Sequence, residues 1–404
     1  MGSPGAIVAP SDTATAIAVT RALGSRGIPV TSFDSTSRSL GFISRYTATP
    51  VHGLVEQEEE VLNALLKLGR KRKGWVLYPT SDFYISVIAR HHDSLSSSLI
   101  PTVAQWEATK HFIDKLETFR LATRLGIPVP ETSAPADMEE VGRLGDRLDF
   151  ERKTWLVKVR SRLVPQEMLG PFARAKGITV RSPEELRLVC GIALSTGRSP
   201  PLVQEKIPGP PHGLVAFNCV VDRGGRPVAW ITRRKLRTSP YEFGIGTMWE
   251  TTLDPEVARL GSRFATASGV YGISSTEFKE DRRDNGLKLI ECNCRAAFSS
   301  ETWRRSGVDL IHILHSLATG SNYDPPTHRR IGLRWTSLVD DLTELLTDRR
   351  QYPLTPSLPW RVAKQYLGTR CWAFLSASDP LPFMIYALRR FRKRKLRDNP
   401  SVGR

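Results

Sequence analysis

Four side chains late in the sequence carry its sharpest chemical signal: Glu277, Glu291, Asn293 and Arg295. They lie in STEFKEDRRDNGLKLIECNCR, 275–295, which reads as strand, polar turn at Asn285-Gly286 and returning strand, a strong hairpin pattern. On the second strand Glu291, Asn293 and Arg295 are two residues apart and project from one face. With the turn centred near Asp284, Glu277 faces Glu291 across the ladder and Lys279 faces Leu289. Two neighbouring carboxylates repel, and burial raises the cost, unless a cation lies between them. Carboxylate and amide oxygens without thiolate or imidazole favour Mg²⁺ or Mn²⁺, ions that keep waters and bind phosphates. Arg295 beside them can hold an anionic group bidentately. The same spacing also describes a solvated hairpin face with cross-strand Glu–Lys and Glu–Arg pairs of little energetic weight. By parity Cys292 and Cys294 turn away from the carboxylates, as packing residues would.

The elements that must position this hairpin come from a chain of 404 residues, long enough for two or three cores. A composition 40% hydrophobic and 25% charged is that of a globular protein, and no apolar run approaches the ~18–20 residues of a membrane span. Residues 1–30 lack an export-signal pattern, and the five cysteines lack paired spacing, which together predict a reducing, cytoplasmic setting. Cys292-x-Cys294 has no second ligand pair to make a zinc site. The net charge of +17 is partly local, in Arg70 to Lys73 and in Arg389 to Arg397. Such runs meet nucleic acid or anionic lipid, or else form a solvated surface.

Residues 5–34 read as a βαβ opening: GAIVAP, a helix TATAIAVTRALGSRG capped by Ser11 or Asp12 and ended by Gly27, then IPVTSFD. That implies a parallel sheet, and without GxGxxG no dinucleotide is indicated. A helix over 56–72 and strand 75–79 follow, ending in Thr80-Ser81-Asp82, either ligand-facing polar residues or a helix cap. From 108 the pattern predicts one helix through HFIDKLETFRLATRLG, strand 154–159, an irregular basic stretch, helix 182–194 and strand 201–207. Strands at 214–222 and 227–233, and helices at 254–268 and 307–318 around the hairpin, read as α+β with an antiparallel sheet. Residues 321–360 are proline-dotted, and 361–398 read as helical and basic.

The order of these segments resembles the ATP-grasp superfamily, most closely its D-aspartate-ligase-like and related carboxylate–amine ligases. Glu277-Phe-Lys-x-Asp, a turn and LIECNCR are similar to that superfamily's glutamate, hairpin and Glu-x-Asn-x-Arg. PTSD (79–82) is similar to a strand end of its pre-ATP-grasp domain, and Asp114-Lys115 before LATRLGIPVPET to its Asp-Lys helix. WLVKVR and AKGITVRSPEEL resemble the phosphate-facing strand and loop, and LVQEKIPG (202–209) the hinge against which adenine lies. RRKLR (233–237), before EFGIGT, resembles the basic segment near phosphate and substrate. The resemblance spans roughly residues 5–320; SRLVPQEMLGPFARA at 161–175 departs from the glycine-rich phosphate loop common there.

The resemblance implies an α/β and α+β protein: a Rossmann-like pre-ATP-grasp domain at 1–107 and a two-subdomain ATP-grasp fold at 108–320. The small subdomain would cover about 125–205 and the central one about 206–320, with a helical, basic extension at 321–404. ATP would meet Lys115, Lys158, Lys176 and the hinge residues Gln204, Glu205, Lys206 and Ile207. Glu277, Glu291 and Asn293 would hold Mg²⁺ or Mn²⁺, and Arg295 with Lys235 or Arg237 would orient the reacting groups. The implied reaction joins a carboxylate to an amine through an acyl phosphate. A phosphoryl transferase, or a basic membrane- or polyanion-binding protein with a vestigial ATP site, are the alternatives. Phe383, Met384, Ile385, Tyr386 and Leu388 precede the final basic run. That is an apolar-then-cationic helix, suited either to the inner face of an anionic membrane or to packing on the protein with a solvated end. Nucleic acid is not expected, since aromatics are not interleaved with the charges.

Overall fold

The computed structural model describes residues 4–53, 57–161, 163, 166–173, 176–195, 200–241, 243–347 and 358–398. The first sheet holds five parallel strands, β1 (Ala6–Ala9), β2 (Val30–Asp34), β3 (Thr47–His52), β4 (Trp75–Pro79) and β5 (Leu99–Pro101), in the order β3-β2-β1-β4-β5. β1 and β2 are buried throughout, as apolar runs between helical layers must be. Thr13, not Ser11 or Asp12, caps the helix Ala14–Gly24 by accepting from the Ala16 amide. The Ser11 and Asp12 amides instead donate to Asp34 at the end of β2, 2.6 and 2.7 Å away, which clamps the β1 loop. β3 escapes the sequence pattern because TATPVH alternates weakly and contains proline, which only an edge strand accepts.

The segment after 108 is two helices, Trp106–Ile113 and Lys115–Arg124, not one. Asp114 breaks them: its backbone is extended, and its carboxylate accepts from the Leu116 amide as the second helix's cap. A local cap thus overrides a continuous apolar period. The small sheet that follows is antiparallel: β6 (Thr132–Ser133), β7 (Trp155–Val159), β8 (Ile178–Val180) and β9 (Pro201–Glu205), ordered β6-β9-β7-β8. Val141, Leu144, Leu186 and Cys190 of two covering helices bury Trp155, Val157 and Val203 of this sheet.

The largest sheet orders seven strands as β14-β13-β10-β11-β12-β15-β16. These are β10 (Leu214–Val221), β11 (Pro227–Ser239), β12 (Ile245–Thr252), β13 (Gly272–Glu280), β14 (Leu287–Asn293), β15 (Arg334–Thr336) and β16 (Thr369–Trp372). β11 runs past the expected 227–233 far enough to include Lys235 and Arg237, and β12 occupies residues whose pattern suggests only a loop. Residues 321–404 are helical at Leu338–Thr347, Leu358–Leu367 and Leu381–Asp398, and also supply β15 and β16. Gly272 opens β13 with φ +97°, and a Cβ there would sit 2.2 Å from the Thr102 carbonyl oxygen. Only glycine lets the first and third sheets approach this closely.

The C-terminal region is fastened to the first sheet's layer by one buried carboxylate. Asp379 accepts from Arg21 Nε at 2.9 Å, Ser44 Oγ at 2.8 Å and the Arg45 amide at 3.0 Å. Arg21 also donates to the Phe374 and Asp379 carbonyls, at 2.8 and 2.7 Å. Asp379→Ala would leave the buried Arg21 guanidinium without its counter-charge. The expected cost is roughly 3–5 kcal/mol, read as a lower urea midpoint than wild type, whereas an unchanged midpoint would show the fastening to be energetically idle.

Candidate active site

The hairpin pairs Glu277 with Glu291 and Ser275 with Asn293, as the spacing predicts. Between Glu277 and Phe278 the register shifts, so Phe278 pairs with Leu289 and Lys279 with Lys288 rather than Leu289. The additional residue is Ile290. Its insertion lets Phe278 and Leu289 lie fully buried in the core while Ile290 and Glu291 both line the cleft. Cys292 and Cys294 are buried in the same core, and burial pushes both thiols up, away from the reactive thiolate.

A cavity of about 500 Å³ opens between the small sheet and the seven-stranded sheet. All the side chains expected to hold nucleotide and metal line it, together with Lys235; Arg237 and Arg295 do not. Each hairpin carboxylate is balanced by one lysine. Lys176 Nζ lies 3.1 Å from Glu291 Oε2, and Lys235 Nζ lies 3.3 Å from Glu277 Oε2. Burial alone would raise the Glu291 carboxyl, but Lys176, Lys115 and Lys235 outweigh it and hold it at about 2. Burial also lowers the Lys235 ammonium, against the pull of Glu277.

Lys158 projects from β7 and donates to Gln204 Oε1 on neighbouring β9, at 2.7 Å; Gln204 in turn donates to Thr132 Oγ1 at 2.9 Å. Burial, and then Lys115 beside it, lower the Lys158 ammonium to about 8. Glu205 is held by Arg283 at 2.6 Å, and the Lys206 amide donates to the Thr154 carbonyl at 2.8 Å, so that N–H is committed within the fold. The Lys206 ammonium lies 5.4 Å over the Phe243 ring across the cavity wall.

Arg295 follows the end of β14 and meets Asp82, Nε to Oδ1 at 2.9 Å. Both readings of the strand-end motif hold in part: Ser81 caps the helix Asp82–Arg90, while Asp82 lines the cavity. Arg237 is buried against the C-terminal helices, 2.8 Å from Asp341 Oδ2 and 2.7 Å from Gln365 Oε1. Asp341 also accepts from Thr247 Oγ1 at 2.7 Å. The expectation about how 160–175 covers a phosphate falls partly outside the described residues. Arg160 at its start binds Asp114, Nη2 to Oδ2 at 2.6 Å.

Two further cations brace the site, of which Lys279 lines the cavity and Arg233 stands behind it. Arg233, two positions before Lys235, is wholly buried, donates to Asn218 Oδ1 at 2.9 Å and lies 4.5 Å over the Trp249 ring. Burial lowers its guanidinium to about 10. The alternation Arg233, Lys235, Arg237 in RRKLR was the available signal. Lys279 donates to the Gly209 carbonyl at 3.0 Å and to that of Pro210, tying the segment after β9 to the hairpin. Nothing in its spacing marks that contact.

Among the described residues no three histidine, cysteine or acidic side chains gather as metal ligands. The hairpin offers two carboxylates and an amide. That set is too small to enclose a cation, yet it fits Mg²⁺, which takes one or two carboxylates and completes its shell with water and phosphate. Chemically, the cleft can receive a polyanion on lysines and a divalent cation on the hairpin.

No family model matches this sequence, and no curated protein is matched by it. Solved structures do match. The biotin carboxylase domain of Hydrogenobacter thermophilus 2-oxoglutarate carboxylase, in complex with MgADP, ADP and bicarbonate, is 17% identical at TM-score 0.64, over 83% of this chain and 74% of that one. Campylobacter jejuni biotin carboxylase is 15% identical at TM-score 0.63, over 81% and 74%. N5-carboxyaminoimidazole synthase from Aspergillus clavatus, with ADP and 5-aminoimidazole ribonucleotide, is 13% identical at TM-score 0.61, over 80% and 79%. These likenesses join the parallel first sheet, the small antiparallel sheet and the hairpin-edged third sheet into one known arrangement: the chain has the ATP-grasp fold, preceded by a Rossmann-like pre-ATP-grasp domain.

Proposed function

We propose that this chain is an ATP- and Mg²⁺-dependent ligase that joins a carboxylate to an amine and releases ADP and phosphate. The supporting observation is the pairing of Glu277 with Glu291 beside Asn293, in a cavity otherwise rich in lysine. Glu277, Glu291 and Asn293 would hold Mg²⁺, which neutralises phosphate oxygens as charge shifts between them. Lys158, Lys115 and Lys176 would receive the triphosphate, and the β9 hinge from Gln204 to Ile207 would carry the base. The small-molecule acid attacks the γ-phosphate to give an acyl phosphate, and the amine then displaces phosphate to form the amide.

In this reading Lys176 and Lys235 balance the hairpin carboxylates until cation and phosphate arrive, and then turn to the phosphate oxygens. Arg295 stands behind Asp82 rather than in the cavity lining, so it would orient the acid through that carboxylate or after parting from it. Arg237 acts from behind, as a positioning residue braced by Asp341 and Gln365. Two of the solved neighbours were captured with ADP or MgADP and with bicarbonate or an amino-bearing ribonucleotide, partners in keeping with an acid, an amine and a nucleotide.

A screen of ADP release over paired acids and amines, with product mass recorded, tests this. Turnover that requires both partners, giving a product of their summed mass less water, is expected; a phosphorylated acid or alcohol without amide would move the chain to phosphoryl transfer. Glu291→Ala is expected to lower turnover roughly 10²–10³-fold in protein whose circular dichroism at the assay temperature matches wild type. Turnover and Mg²⁺-dependent nucleotide binding that survive this change would sink the reading.

The Lys158 ammonium predicts a pH dependence. It is charged below about 8 and neutral above, under the influence of burial and of the charges on Lys115, Glu291 and Lys176. A bound phosphate favours the charged form, so nucleotide binding takes up a proton near pH 8, and affinity falls as pH rises through that value. Calorimetry with ADP and Mg²⁺ in buffers of different ionisation enthalpy should show up to about tenfold weakening per pH unit above 8. Lys158→Met should flatten the slope.

A further inference from the structure

The helix Leu381–Asp398 presents two faces with opposite fates. One is locked into the protein. Phe383 and Tyr386 pack against the core formed by Ile17, Leu40, Trp335 and Phe374, with the Tyr386 ring stacked on Phe374 at 4.0 Å. Tyr386 Oη donates to Asp340 at 2.8 Å, Arg389 donates to Asp12 at 2.9 Å, and Arg390 pairs with Asp340. The first two cations of the basic run therefore serve the fold. The other face is apolar and points outward: Leu381, Met384, Ile385, Leu388 and Phe391, at helical spacing, are between 36% and 65% exposed. With positions 383, 386, 389 and 390 anchored, the helix cannot roll to bury that stripe.

Charge around the stripe is predominantly positive, since the acids Asp12 and Asp340 are taken up by Arg389 and Arg390. From 381 to 397 the sequence contains no acidic residue, and beyond Arg390 it continues with Arg392, Lys393, Arg394, Lys395 and Arg397. Arg38, whose carbonyl accepts from Arg389, and Arg45, which donates to the Ser378 carbonyl, are exposed beside the helix. The helix closes on one acid, Asp398, against the five cations Arg392, Lys393, Arg394, Lys395 and Arg397, and an outward apolar stripe continuing into so cationic an end matches the interface of an anionic bilayer, where apolar side chains enter the acyl boundary and cations meet headgroups. A nucleic acid would take up the cations and leave the stripe in water. A second copy would bring like charge against like, and five side chains are far fewer than the ~20–30 residues a side of a stable interface.

We infer that the face of helix Leu381–Asp398 bearing Leu381, Met384, Ile385, Leu388 and Phe391 docks this protein peripherally on anionic lipid, with the helix lying along the surface. Among the described residues no helix is long and apolar enough to cross a membrane, so the contact is superficial. It depends on no residue of the cleft, and its test is independent of turnover.

The full chain is sedimented with vesicles of phosphatidylcholine alone or of phosphatidylcholine mixed with phosphatidylglycerol. Binding to the mixed vesicles only, weakened by added salt, is expected. L388E/F391E changes two exposed side chains, so its melting temperature should match wild type while its partitioning falls about tenfold or more. A second variant, R392S, should weaken binding less and reduce its salt dependence. The inference is overturned if neither vesicle binds the chain or if L388E/F391E binds as wild type does. It also falls if the chain runs as a dimer that this variant dissolves, or if RNA binds the wild type and displaces it from the mixed vesicles while L388E/F391E binds RNA and mixed vesicles equally well.

Discussion

Two carboxylates face each other across the β13–β14 ladder in a half-buried cleft, an arrangement that is costly unless cations lie close by. That requirement organises the surroundings of Glu277 and Glu291. Lys235 arrives from β11 and Lys176 from the loop before β8, so the central and small sheets each contribute one balancing charge. Lys115 adds its field from the start of a helix that caps on Asp114. The carboxylates are thus a meeting point at which three otherwise separate pieces of chain acquire a reason to converge.

The same economy extends outward from the hairpin. Lys279, on the Glu277 strand, binds the two carbonyls that follow β9, and Arg283 in the turn binds Glu205 at the end of β9. The segment that follows β9 is therefore referenced to the strand that carries Glu277. The one-residue insertion at Ile290 completes the arrangement, since without it Leu289 would share a face with Glu291 and the core would lose a side chain.

Much of this was legible in the chain because it follows local rules. Alternation and Asn285-Gly286 specify the hairpin, whereas the lysines and the segment 202–209 had no local signal and were placed by resemblance to a known family. The parts that could not be read depend on tertiary partners. The Ile290 insertion is set by core packing on the far face. Arg237 looked like a substrate ligand because its basic segment does, but Asp341 and Gln365, more than a hundred residues later, turn it to the C-terminal helices. β3, β12 and β15 have weak patterns of their own and exist because a neighbouring strand offers a ladder.

The order β14-β13-β10-β11-β12-β15-β16 has a consequence for how the protein is made. Five of these strands lie within residues 214–293, and in that set β12 is the outer strand on its side, with an unpaired backbone edge that invites another chain. Its cover, β15 and then β16, comes from residues 334–372 and is held by the far end of the chain through Asp379. During synthesis the strands that carry the hairpin carboxylates thus emerge before β15 and β16, and the edge of β12 stays open until those two strands follow.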